Sequence, residues 1–161
     1  LFDVLCLAGL YTLRVIAGAL ATGIALSFWL LAFSTFLFLS LALVKRYVEL
    51  AQLGAVGEKL STGRGYRAED LDTLSQLGIA SGLVAVLVLA LYIDSDAVRS
   101  QYRTPEAIWL ICPILLYLVC RIWVLARRRE MHDDPVVWAM RDWRSQVMMG
   151  LAAVLMFIAA R

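Results

Sequence analysis

The chain has 161 residues, 62% of them hydrophobic and 17% charged, with a formal net charge of +2. Soluble domains carry about 45–50% apolar residues, so this composition describes a membrane protein. So small a charge gives no argument for nucleic acid as a partner, and none is expected; the positive residues gather instead at the edges of apolar runs.

Five apolar runs, near 1–25, 27–44, 75–93, 106–126 and 144–160, are each close to the roughly 17–25 residues that a spanning helix needs. They predict an all-α fold: a polytopic transmembrane bundle of about five spanning helices, forming a single membrane domain over 1–161. The chain opens at Leu1 already inside a helix and without a signal-peptide n-region, which reads as part of a longer polypeptide. In the first run, Asp3 lies near the start. Arg14 is about 16 Å deeper at 1.5 Å per residue, near mid-bilayer. A charge there has to face the bundle interior, as a structural partner or as the lining of a wet cavity. Residues 17–23 are rich in small side chains, which let a neighbouring helix approach closely. Ser27 is placed to cap the second helix.

The second run ends in Lys45-Arg46-Tyr47-Val48-Glu49-Leu50. At helical spacing Lys45, Arg46 and Glu49 share a face. Two cations, a carboxylate and a phenol at a membrane mouth suit an anionic headgroup or a diphosphate. The plainer reading is an interfacial anchor, with cations snorkelling beside an aromatic belt residue. Tyr47 to Leu60 keeps a helical apolar spacing, and 61–65 read as a turn. Glu69, Asp70 and Asp72 then open a helix where its dipole favours acids. Thr104-Pro105-Glu106 reads as the next helix start, and Pro113 predicts a kink in the fourth run.

Other motifs carry less. Gly54 to Lys59 faintly resembles a phosphate loop, but Leu60 follows the lysine and no strand precedes it. His132 beside Asp133 and Asp134 lacks metal-ligand spacing and reads as a turn into a helix with Pro135 at N1. Arg127, Arg128 and Arg129 read as an anchor. Cys6, Cys112 and Cys120 lie inside apolar runs and read as small buried hydrophobes.

Basic residues fall on alternate sides of these runs. Lys45, Arg46, Lys59, Arg64 and Arg67 lie in the 45–74 connection, and Arg121, Arg127, Arg128, Arg129, Arg141 and Arg144 in the 121–146 connection. Only Arg99, Arg103 and Arg161 lie opposite. This bias predicts a multi-pass protein of the inner or plasma membrane with both long connections, and Asp3, on the cytoplasmic side.

Three segments, Leu1 to Gly18, Lys45 to Leu50 and Arg64-Gly65-Tyr66, together resemble the C-terminal half of UbiA-type membrane transferases. The nearest branch is the one that includes decaprenyl-phosphate phosphoribosyltransferase. The resemblance covers nearly the whole chain and is most specific over residues 1–66. It implies a bundle of about nine helices, of which these are the last five, completed by an N-terminal half as partner. It also implies a cytoplasm-facing cavity under a cap formed by about 45–74, a polyprenyl lipid substrate, and Mg²⁺. The metal's first aspartate motif, of the Asn-Asp-x-x-Asp type, would lie upstream and is absent here. Ordinary prenyltransferases carry a second Asp-x-x-x-Asp motif where this chain has Lys45 to Glu49. That departure favours the phosphoribosyl branch, in which a lipid phosphate attacks phosphoribosyl pyrophosphate. On this reading Lys45 and Glu49 are catalytic. Arg46, Tyr47, Arg64 and Tyr66 bind substrate, with Asp3 and Arg14 as further cavity residues. The alternatives are prenyl transfer to another acceptor, or a non-enzymatic scaffold or carrier module.

Overall fold

A chain this apolar has to satisfy its backbone hydrogen bonds within each segment, and helices do so. The computed structural model describes residues 1–23, 26–56, 66–67, 69–95, 108–131 and 135–160, and among them there is no strand. The helices are α1 (Phe2–Thr22), α2 (Phe28–Val56), α3 (Asp70–Ile93), α4 (Ile111–Arg127), α5 (Pro135–Arg141) and α6 (Trp143–Ala160). Three of them, Phe2–Thr22, Phe28–Gln52 within α2, and α3, are long and apolar enough to cross a membrane. The expected fourth and fifth runs form shorter helices, of 17 and 18 residues.

Local chemistry sets most boundaries. Gly23, at φ 69°, ends α1 in the left-handed conformation and donates back to the Ala19 and Leu20 carbonyls. The Ser27 carbonyl accepts from Leu31 N–H at 3.1 Å, placing Ser27 at the start of α2. Asp70 and Asp72 occupy the first turn of α3, and the Asp70 carboxylate accepts the Arg67 N–H at 2.7 Å. The fourth run differs from expectation. Residues 108–109 are helical, Leu110 is a turn, and α4 starts at Ile111, so Pro113 sits in a first turn and kinks nothing. A proline ring clashes with the carbonyl four residues back, here Trp109, and the helix breaks where that clash falls. Pro135 opens α5, as its position predicts, while His132 to Asp134 lie outside the described residues.

At the other end of α4, Arg129 adopts φ 58°. Glu130 N–H reaches the Leu125 carbonyl at 3.2 Å and Arg129 N–H the Ala126 carbonyl at 3.1 Å. This is a Schellman closure with arginine where glycine is usual. It turns the chain so that Met131, 1% exposed, enters the core.

The main core gathers Val4 of α1, Leu43, Val44 and Leu50 of α2, Leu74 of α3, and Ile122 and Trp123 of α4. It lies at the end of the bundle that carries Arg46 and Arg127, called the basic end below. A second cluster at the opposite end joins Ile93, Ile108 and Cys112. Of the three cysteines only Cys112 is buried; Cys6 and Cys120 face outward, contrary to the expectation for them. Helix periodicity explains it: an apolar run long enough to span presents every face, and lipid covers the outer ones as well as protein does.

The tightest contact is between α2, α3 and α4. Ser40 donates to the Gly78 carbonyl at 2.7 Å, and Trp123 Nε1 donates to Ser40 Oγ at 3.1 Å. Gly78 and Gly82 leave the room: a Cβ at Gly78 would lie 2.0 Å from Trp123, and one at Gly82 2.5 Å from Val119. Their four-residue spacing puts both on one face of α3.

Candidate functional site

Helix α2 has 29 residues, about 44 Å at 1.5 Å per residue, against a hydrocarbon core of about 30 Å. Its last turns therefore emerge from the apolar layer and carry Arg46 and Glu49 at the boundary. The first turn of α1 lies alongside and brings Asp3 to the same level.

Arg46 is the centre of the cluster. One guanidinium nitrogen donates to Glu49, one turn on, and the other donates to Asp3 across the helix pair. Tyr66, from the connection between α2 and α3, donates its hydroxyl to the second oxygen of Asp3 at 2.6 Å. Its ring lies 5.5 Å from the Arg46 guanidinium. The site thus ties together α1, α2 and the returning connection. Arg46 is 14% exposed, Asp3 30% and Glu49 40%, so the cation is more covered than either carboxylate. Arg46 Nε is buried with no hydrogen-bond partner among the described residues. Burial, and then donation to Asp3, push the Tyr66 phenol up to about 12, so it is a fixed donor at neutral pH.

Four of the eight residues expected at the site, Asp3, Arg46, Glu49 and Tyr66, therefore meet. Lys45 is half-buried at the neighbouring position of α2. Tyr47 turns the other way and packs edge-on against Trp123, ring centres 6.0 Å apart, within the core. Arg14 is exposed, its guanidinium 5.3 Å from the Tyr11 ring, on an outer face of α1. Arg64 lies outside the described residues.

A second polar cluster was not anticipated. Arg121 on α4 grips Asp142 with two nitrogens, at 3.3 and 3.1 Å, and lies 5.6 Å from the Trp138 ring. Asp142 also accepts the Ser145 amide at 3.0 Å and hydroxyl at 2.9 Å, capping α6. Burial opposes its ionisation, but Ser145 and Arg121 outweigh that and hold Asp142 below the usual carboxylate range. An aspartate three residues before a serine is an N-cap signal that the sequence does carry.

The arrangement at Arg46 defines what it can bind. A phosphate reaches the guanidinium only by displacing Asp3 or Glu49, while the carboxylates, more exposed than the guanidinium, are acceptors for hydroxyl donors. The residues do not fit a magnesium ion. Asp3 and Glu49 already hold a guanidinium, and no group of three His, Cys, Asp or Glu among the described residues could hold a metal.

The chain is 36% identical over 145 residues to the uncharacterized protein y4nM of Sinorhizobium fredii, covering 88% of this chain and 28% of that protein. It is 35% identical over 160 residues to the nodulation protein NoeC of Azorhizobium caulinodans, covering 97% of this chain and 51% of that protein. No family model matches it, and no solved structure matches it significantly. The chain thus spans about half the length of NoeC and little more than a quarter of y4nM.

Proposed function

We propose that this chain is the C-terminal part of an integral membrane transferase of the UbiA type, contributing five helices to a bundle of about nine. Its basic end faces the cytoplasm. The reaction is transfer of a phosphoribosyl group from phosphoribosyl pyrophosphate to a polyprenyl phosphate. A lipid phosphate oxygen bonds to the anomeric carbon, the bond from that carbon to the pyrophosphate oxygen breaks, and pyrophosphate departs with the electron pair. The observation that supports the reading most is the convergence of Asp3, Arg46, Glu49 and Tyr66 at the membrane boundary.

The roles follow from the contacts. Asp3 and Glu49 hold Arg46 in place, and as carboxylate acceptors they suit the ribose hydroxyls. Arg46, once one carboxylate turns to the sugar, meets the charge that grows on the leaving pyrophosphate. Lys45 adds a second cation to the same oxygens. Tyr66 fixes Asp3 and covers Arg46 from the connection side. The described residues place no metal. NoeC carries a nodulation name; for this chain, lipid-linked sugar chemistry is the proposed contribution to such a process.

One observation favours a second reading. Both ends of the Arg46 guanidinium are satisfied within the chain, as they would be in a structural clamp of a non-enzymatic module. Radiolabelled phosphoribosyl pyrophosphate and polyprenyl phosphate, supplied to membranes holding the full-length protein, separate the two. Under the transferase reading labelled lipid forms, and Arg46→Ala lowers it about a hundredfold, roughly 2.7 kcal/mol, with Arg128→Ala near wild type. Under the clamp reading no labelled lipid forms at any protein concentration.

A further inference from the structure

Two cavities lie end to end along α2, α4 and α6, the first also walled by α3 and the second by α5, and share Leu115 as a common wall. One, of about 390 Å³, runs past Trp29 and Phe33 of α2 and Ala152 and Met156 of α6. The other, of about 200 Å³, continues past Leu37 and Val44 of α2 and Ser145 and Met149 of α6. From Trp29 to Val44 the slot follows α2 for fifteen residues, about 22 Å of a hydrocarbon layer about 30 Å thick. It is separate from the Arg46 cluster. Val44 lines it, and Arg46, two residues on, points about 200° away around the helix.

The walls are apolar, and the serine hydroxyls that reach them are already committed. Ser40 donates to the Gly78 carbonyl, and Ser145 donates to Asp142. A polar ligand would find few partners there. Met149 and Met156 on the α6 wall give an adaptable surface, suited to a flexible chain. At the basic end the slot finishes at Met140 and Ser145; Arg144, next to Ser145 in the chain, is exposed with its guanidinium 5.9 Å from the Trp143 ring. Arg127 and Arg128 are exposed at the same end, where α4 stops. Trp143, 66% exposed, is an aromatic belt residue at headgroup level.

We propose that the slot holds one acyl chain of an anionic phospholipid, with its phosphate against Arg144. The charge of the rim selects the headgroup, and the length and narrowness of the slot select a single hydrocarbon chain. The site stands independently of the transferase reading, because it lies on the other side of α2.

Native mass spectrometry of the purified protein, delipidated and reloaded, tests it. One phosphatidylglycerol should be retained at concentrations that leave phosphatidylcholine unbound. Ala152→Trp, which fills the slot at mid-length, should lower retention at least tenfold. Arg144→Gln should abolish the preference between the two lipids. Leu20→Trp, on the outward face of α1, should leave both unchanged. A measurement on the wild type needs no bulky variant to fold: phosphatidylglycerol with a photoreactive group at its chain end should label Phe33, Leu115 or Met149. Wild-type retention by Ala152→Trp, equal retention of the two lipids by the wild type, an undiminished preference in Arg144→Gln, or label spread equally over the outer face of α1 overturns the proposal.

Discussion

Replacing Gly78 with alanine tests the three-helix contact that holds α4 against α2 and α3. The added Cβ would lie 2.0 Å from Cζ2 and 2.4 Å from Cη2 of Trp123, and 3.1 Å from Leu43 Cβ. The indole has no easy retreat, since Trp123 is 3% exposed, bonds Ser40, and packs edge-on against Tyr47. Two relaxations are open. Moving α4 outward overpacks and then loosens the core at about 1–3 kcal/mol. Rotating the indole instead leaves its N–H buried and unpartnered, at about 1–3 kcal/mol. Helix propensity returns about 1 kcal/mol for glycine to alanine, so the net expectation is a loss of up to about 2 kcal/mol. Gly150→Ala is the control: nothing lies within 4 Å of its Cβ, and it should gain up to about 1 kcal/mol. Reversible unfolding of the purified chain in mixed micelles, followed by tryptophan fluorescence, reads both. Adding Trp123→Leu to Gly78→Ala should cost less than the two single changes summed, since they share one contact. If Gly78→Ala is as stable as Gly150→Ala, the indole does not occupy the place described for it.

Four further outcomes are expected. Tyr66→Phe removes one charge-assisted hydrogen bond to Asp3 and should cost about 1.5–3 kcal/mol in the same unfolding measurement. In ultraviolet titration of the wild type, one tyrosine should ionise near 12, and Tyr66→Phe should abolish that step. Because that folded value lies above the ordinary phenol value of about 10, the linked stability is complete below pH ~10 and is lost as pH rises through about 12. Asp142 has the opposite sign: its stabilisation is complete above the ordinary carboxyl value of about 4 and is lost as pH falls through the lowered folded value, and Asp142→Ala, which also removes the α6 cap, should remove that acid dependence. Arg129→Gly should stabilise by about 1 kcal/mol, since glycine adopts the left-handed conformation without the side-chain penalty; unchanged or lower stability would contradict it.

Helix class and most helix starts were legible in the sequence because they rest on local chemistry: apolar run length, acids in a first turn, proline at N1. The kink expected in the fourth run takes the form of a break at Leu110, ahead of Pro113, because the ring's clash with the Trp109 carbonyl falls on that side. At the site, Arg46 and Glu49 were visible as neighbours on one turn. The meeting of Asp3 with Arg46, 43 residues apart, depends on the packing of α1 on α2, which no periodicity encodes. Tyr47 shows the limit of proximity arguments. Adjacent to Arg46 in sequence, it projects about 100° around the helix and belongs to the core instead. The spacing of Gly78 and Gly82 was a readable signal for close helix contact, and so was the aspartate-serine cap at 142–145.

Arg14 makes the membrane energetics of α1 depend on what packs beside it. Its guanidinium sits about 16 Å along the helix from Asp3, on an outward face, with the Tyr11 ring nearby. In hydrocarbon an arginine at that depth costs about 2.5–3.5 kcal/mol. A neighbouring segment that offers a carboxylate or a wet crevice recovers that energy, which by itself shifts an association equilibrium about a hundredfold. A copy left without such a neighbour keeps a charged defect in mid-membrane, with water and headgroups drawn in around it. With such a neighbour a docked state would hide the charge, and without one the chain displays it.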